Sequence, residues 1–275
     1  MKRRLISVFV LLVALAQVAG CGREKSSGKP AASTLDAILR ARKIKVGTNP
    51  GYKPFEMIDK DGKVVGFDID VARFMADKLG VELEVIVTDW DPAISNLNAG
   101  KFDVIISGMT RTLERALACN FTDPYFKTGQ ALIVNKKKYP PGTIKSHKFF
   151  NRRGAVISTK LGTTGEIAAR KEFPLAEIKT FEDESEAALE VDTGRADIMV
   201  YDQPFCAFHA GEVPEKVYAV LEPFTSEYLA FALRKGDPDF LSWLNLAIFE
   251  LHQSGVYDSL FNKWFVEMPW LEKVK

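Results

Sequence analysis

The sequence predicts an α/β protein of two lobes, on three observations. Its 275 residues are 47% hydrophobic and 27% charged, which supplies a full core and excludes a disordered polypeptide. Beyond Thr34, short β-type runs alternate with segments whose apolar residues recur every three to four positions. This alternation runs once, stops and restarts, with one extended segment between the two runs and another after the second. Repeated strand and helix units imply parallel sheets covered by helices. Two extended connections are what a chain needs to leave one lobe, build another and return.

The elements follow in order. Leu35, Ile38 and Leu39 mark a short amphipathic helix, and 44–47 reads as a buried strand. Ile69, Val71, Ala72, Phe74, Met75 and Leu79 mark a second helix, followed by a strand at 83–87. A helix at 91–99 closes at Gly100, and 104–106 is a third strand. After the extended stretch 120–134, with Pro124 inside it, come a strand at 155–159, a helix at 164–170, a strand at 178–181, a helix at 185–192 and a strand at 198–201. The second extended segment is 228–233, Pro238 opens a helix reaching 254, and a last helix covers 256–265. Trp243, Trp264 and Trp270 are expected to pack helices onto sheet. The expected organisation joins 34–127 with 229–275 in one lobe and places 128–228 in the other.

The N-terminus reads differently. Lys2, Arg3 and Arg4 precede an apolar run at 5–16, and Ala19 and Gly20 follow, the charge, core and cleavage-site order of a secretory signal over 1–20. The run is too short for a membrane span. Val18-Ala19-Gly20-Cys21 resembles the lipobox of bacterial lipoproteins, which implies a lipid anchor on Cys21 and a membrane-tethered location, in the periplasm or at the cell surface. Residues 22–33 hold no aliphatic side chain larger than Ala, so 21–33 is a flexible tether. Loss of 1–20 removes three basic side chains and no acid, which turns a formal charge of +1 into −2. That balance argues against nucleic-acid binding through a broad basic surface. Three scattered histidines, His147, His209 and His252, and three cysteines exclude most zinc scaffolds and any disulfide framework. Neither a metal nor another cofactor is expected, and Cys119 and Cys206 are expected as buried free thiols. His209 is expected on the solvent side of its helix.

Gly66-Phe67-Asp68-Ile69-Asp70-Val71-Ala72 resembles the signature of the family 3 extracellular solute-binding proteins, the amino-acid receptors of ATP-binding-cassette importers. The likeness extends to Val46-Gly47-Thr48-Asn49 with Tyr52, Pro54, Phe55 and Glu56, to 103–115, to Phe121-Thr122-Asp123-Pro124-Tyr125, to Leu161-Gly162-Thr163-Thr164-Gly165-Glu166, to Ala196-Asp197 with Asp202, and to Arg234-Lys235-Gly236-Asp237. It spans 34–267. The resemblance implies the type II periplasmic binding protein fold: two α/β lobes joined by two hinge strands, closing on a ligand between them. It also implies a monomer without catalytic residues, whose partners are an amino acid and the permease subunits of an importer.

A free amino acid presents a carboxylate, an ammonium and a variable side chain. Thr110 and Arg115 lie just past the 104–106 strand, where open parallel sheets place ligands. Arg115 has the planar fork that pairs bidentately with a carboxylate, although by residue type alone it also suits a surface helix beside Glu114. The loop 162–165 follows a strand and opens a helix, so Thr163 and Thr164 offer backbone N–H groups; a structural turn fits equally, and the Gly-Lys-Thr ending of a nucleotide loop is missing. Asp202 suits either a helix cap or an ammonium partner. Ser107, Gly108 and Thr110 add hydroxyl and backbone groups. By resemblance, Arg115 takes the ligand carboxylate, Asp202 its ammonium, and Tyr52 and Trp90 sandwich its side chain. Asn49 and Lys160 fall where related receptors vary with ligand. The neutral amide at Asn49, usually acidic in cation-binding relatives, leads us to expect a polar neutral or acidic ligand side chain, glutamine or glutamate before arginine or lysine.

Two rivals share this fold. Prephenate or arogenate dehydratases need a proton donor in the closed cleft, and the helix after Asp202 (Gln203-Pro204-Phe205-Cys206-Ala207-Phe208-His209) carries no carboxylate. A ligand-binding subunit of a membrane sensor is the other.

Overall fold

The computed structural model describes residues 33–274. The predicted signal, Cys21 and most of the tether lie outside the described residues. In chain order the elements are α1 (Thr34–Ala41), β1 (Lys43–Thr48), β2 (Met57–Ile58), β3 (Val64–Val65), α2 (Phe67–Leu79), β4 (Glu82–Val87), α3 (Ala93–Asn98), β5 (Val104–Ile105), β6 (Asn120–Phe121) and β7 (Phe126–Thr128). There follow β8 (Gln130–Asn135), β9 (Val156–Lys160), α4 (Thr164–Glu172), β10 (Glu177–Phe181), α5 (Glu184–Asp192), β11 (Ile198–Asp202), α6 (Gln203–Glu212) and β12 (Val217–Val220). The chain returns through β13 (Glu227–Leu229) and β14 (Ala232–Leu233) to α7 (Pro238–Gln253), α8 (Val256–Phe261) and a final turn at Leu271–Val274.

Two five-stranded sheets result, in the orders β4-β1-β5-β14-β6 and β10-β9-β11-β8-β12. Each has three parallel strands, and beside the third of them an antiparallel strand follows the crossing between lobes: β14 on β5, and β8 on β11. The crossings themselves pair antiparallel, β7 with β13, which forms a two-stranded hinge. Hydrophobic alternation explains the strands. Ile44 and Val46 of β1 are buried between helices, and all six residues of β8 are buried, as expected for a strand covered on both faces.

The signature segment is α2, and its two acids fasten distant parts of the lobe. Asp68 accepts from the Tyr125 hydroxyl at 2.8 Å and from the Gly108 N–H at 2.7 Å, and Asp70 accepts from Lys263 and from the Trp264 indole at 2.8 Å. The tail departs from expectation. The helix expected over 256–265 ends at Phe261, and a π-type turn over Asn262–Glu267 swings Trp264 onto Asp70. Trp270 does not pack a helix on a sheet: it stacks on Phe208 of α6, with centroids 5.3 Å apart, so the C-terminal segment reaches from the first lobe to the second. His209 is not on the solvent side either; its Nε2 lies 2.9 Å from Asp192 Oδ1, with only 14% of the side chain exposed. Cys119 and Cys206 are buried and free. Among the described residues no helix is long and apolar enough to cross a membrane.

Candidate functional site

The C-terminal ends of the parallel strands of both sheets converge, as open α/β sheets require of a ligand crevice. From the first sheet, β1 delivers Asn49 and Tyr52, and β5 delivers Ser107, Gly108, Thr110 and, one turn on, Arg115. From the second, β9 ends in Lys160 and feeds Thr163 and Thr164, and β11 ends in Asp202. All eleven predicted site residues, Trp90 included, line one pocket, together with Glu56 and Tyr201, which were not predicted as site residues. The enclosed space is about 20 Å³, close to the room one water needs. Side chains of the two lobes fill the rest by meeting one another.

Arg115 is held in a 3-10 turn that Thr112 caps by accepting the Arg115 N–H at 3.1 Å. Its guanidinium donates to the carbonyl of Thr110 at 2.9 Å and, across the cleft, to the carbonyl of Gly162 at 3.1 Å, and it lies 5.2 Å over the Trp90 ring. Burial lowers its pKa against the charges of Glu227 and Asp202, which raise it. Trp90 also bridges the lobes, donating its indole N–H to Gly162 O at 3.1 Å.

Asp202 stands at the N-cap of α6 but makes no side-chain cap, so the capping alternative is not what it does. One carboxylate oxygen accepts the Tyr52 hydroxyl at 2.6 Å, and the other accepts the Gln130 amide. Burial pushes its carboxyl up to about 7, Glu227 adds to the rise, and the Tyr52 and Gln130 hydrogen bonds and Arg115 oppose it. The Tyr52 ring needs Gly108 opposite: a Cβ there would sit 2.4 Å from the ring, and Gly108 has a positive φ of 53°. Thr163 caps α4, accepting the Glu166 N–H at 3.3 Å, and Glu166 reaches back to the Gly162 N–H at 2.8 Å.

Four residues that sequence reasoning missed complete the surroundings. Glu227 is buried and accepts from Thr110, Thr164, Gln130 and Thr225, tying loops of both lobes to the hinge strand β13. Gln130, the first residue of β8, donates to Asp202 and Glu227. Glu56 accepts from Ser107 at 2.7 Å; burial first, and then the nearby Asp68 charge, push its carboxyl well above the usual range. Glu184, first in α5, pairs with Lys160 at 2.5 Å. The only sequence signal for Glu184 was its place at a helix start, which also suits the helix dipole. Outside the pocket, Lys53 of the first lobe pairs with Glu212 of α6 at 3.2 Å. Among the described residues there is no cluster of three or more acidic, histidine or cysteine side chains fit to hold a metal.

Residues 44–267 match the model of the bacterial extracellular solute-binding proteins, family 3. The chain belongs to this family. A probable histidine-binding protein of Neisseria gonorrhoeae is 30% identical over 96% of both chains, and an ABC transporter glutamine-binding protein of Bacillus subtilis is 31% identical over 98% of this chain and 99% of its own. Among solved structures, a putative binding component of an ABC transporter from Wolinella succinogenes, complexed with lysine, is 44% identical with a TM-score of 0.80, covering 84% of this chain and 99% of that one. An ancestral amino acid-binding protein, a precursor of cyclohexadienyl dehydratase, is also 44% identical, with a TM-score of 0.79 over 85% of this chain and all of that one. As a family member the protein has the two-lobe fold that its signature implied.

Proposed function

We propose that this protein is the extracytoplasmic binding component of an amino-acid ABC importer, holding a free amino acid between its two lobes and tethered to the membrane by a lipid on Cys21. The observation that carries the reading is the placement of Arg115 and Asp202 on opposite lobes in one pocket. Among the described residues the Arg115 guanidinium donates only to carbonyls, which leaves its charge for a ligand carboxylate. Asp202 now accepts from the neutral Tyr52 hydroxyl, and a ligand ammonium, bringing a full charge, displaces it. One zwitterion then bridges both lobes and favours the closed state, since neither lobe alone offers both partners.

Lys160 and Asn49 at the side-chain end favour a polar neutral or acidic ligand over a cationic one. The relatives that bind histidine, glutamine or lysine support an amino acid as the ligand class. A permease accepts the ligand from the closed protein, which acts as a monomer. Calorimetry of the twenty amino acids against the purified full chain tests the reading: one or a few bind tightly and the rest do not. An assay for turnover of prephenate is expected to give no phenylpyruvate; turnover at enzymatic rates would favour the dehydratase instead.

A further inference from the structure

Two cations line the pocket, and among the described residues only Lys160 of the two makes a direct ion pair. Its Nζ lies 2.5 Å from Glu184 Oε2 and 2.6 Å from Asn49 Oδ1. Both members of the ion pair are almost fully buried, with side-chain exposures of 3% and 1%. Asn49 is itself fixed, because its amide N–H donates to Thr88 O at 3.0 Å and so turns its oxygen toward Lys160. Of the three ammonium protons, two are committed and one is left for the pocket.

Glu184 reaches this position because residue 51 has no side chain. A Cβ at Gly51 would lie 2.2 Å from Glu184 Oε1, and Gly51 has a positive φ. Glu184 comes from the second lobe and Gly51 from the first, so the carboxylate is seated against the facing lobe.

We propose that Glu184, seated by Gly51, is a positioning residue that makes the pocket select a neutral carboxamide side chain, as in glutamine, over a carboxylate or a cation. This rests on the amino-acid reading above. An amide oxygen accepts the remaining Lys160 proton. The amide N–H₂ faces the Glu56 side of the same pocket. A carboxylate gains less from Lys160, whose charge Glu184 already neutralises, and it loses more hydration than an amide on entering the pocket. A lysine or arginine side chain meets the Lys160 ammonium.

Calorimetry with L-glutamine, L-glutamate and L-lysine tests this on the full chain and on Glu184→Gln, Glu184→Asp and Gly51→Ala. The wild type is expected to bind glutamine at least tenfold more tightly than either competitor. Glu184→Gln, which leaves the Lys160 charge uncompensated, shifts the glutamine-to-glutamate ratio at least tenfold toward glutamate. Glu184→Asp, which keeps the charge, holds the ratio near that of the wild type, and Gly51→Ala shifts it in the direction of Glu184→Gln. A ratio unmoved within twofold in Glu184→Gln would overturn the inference. Should that variant fail to fold, an unmoved ratio in Gly51→Ala does the same, as does a wild type that prefers glutamate or lysine. Binding of no amino acid by the wild type would instead remove the reading on which the inference rests.

Discussion

Arg115 and Lys160 face the same pocket from opposite lobes, and they differ in what neutralises them. Among the described ion pairs none involves Arg115, which donates to two carbonyls and rests on an indole face. Lys160 is matched by Glu184 in its own lobe before any ligand arrives. The first lobe therefore offers a cation that makes no direct ion pair among the described residues, whereas the second offers a hydrogen-bond donor whose charge is already paired. On this account the family's shared ligand group, the α-carboxylate, goes to the unmatched cation, and the variable side chain goes to the matched one.

The sharpest way to break this contrast is to remove each cation. Arg115→Ala is expected to weaken binding by about 3 to 5 kcal/mol while leaving the melting temperature of the unliganded protein nearly unchanged. Asp202→Ala weakens binding to a similar degree. Lys160→Met should do the reverse of Arg115→Ala in the melt: it strands Glu184 and lowers the melting temperature by about 10 °C, and Lys160→Met with Glu184→Leu recovers most of that loss. Equal melting shifts for the two single variants would dissolve the distinction.

A smaller effect follows from pH. The Asp202 carboxyl sits at about 7 in the closed, unliganded protein, mainly through burial, and a bound ammonium pulls it down. Binding therefore releases a proton, and affinity falls by about twentyfold from pH 7.5 to 5.5. For folding the sign is opposite. The native-state value is raised above the unfolded one, so the native protein binds more protons between roughly pH 4 and 7, and this contribution to stability is lost as pH rises through that window. Calorimetry and melts across the range check both, and Asp202→Asn should flatten both profiles.

Trp90→Ala removes an inter-lobe hydrogen bond and the ring beneath Arg115, and about a tenfold loss of affinity is expected by calorimetry. The least effect belongs to Lys53→Ala. Its pair with Glu212 also spans the lobes, but with 29% and 22% of the side chains exposed it should change affinity by no more than about twofold.

Much of this architecture was legible in the residues. Period-two and period-3.6 patterns located the parallel strands and the helices other than the last to within a residue or two, and strand ends pointed to the candidate pocket, because open sheets place ligands there. The family signature was legible as a resemblance, but its physical task was not: Asp68 positions Gly108 and Asp70 positions the tail through partners 40 to 194 residues away. The same holds for Glu227, which meets Thr110 across 117 residues, and for the dependence of Glu184 on a missing Cβ at Gly51. Helix periodicity assigned His209 to solvent, and a neighbouring helix supplied Asp192 to cover it. Local pattern reports which face of an element is apolar; it does not report which polar groups of other elements will meet it.

Whether one zwitterion joins the lobes is answered by a crystal structure of the full chain with its tightest-binding amino acid. The ligand α-carboxylate is expected to pair bidentately with Arg115, and the ammonium to lie within hydrogen-bond distance of Asp202, in the place now taken by the Tyr52 hydroxyl. A ligand held by one lobe alone, with the Tyr52 to Asp202 bond intact, would contradict it.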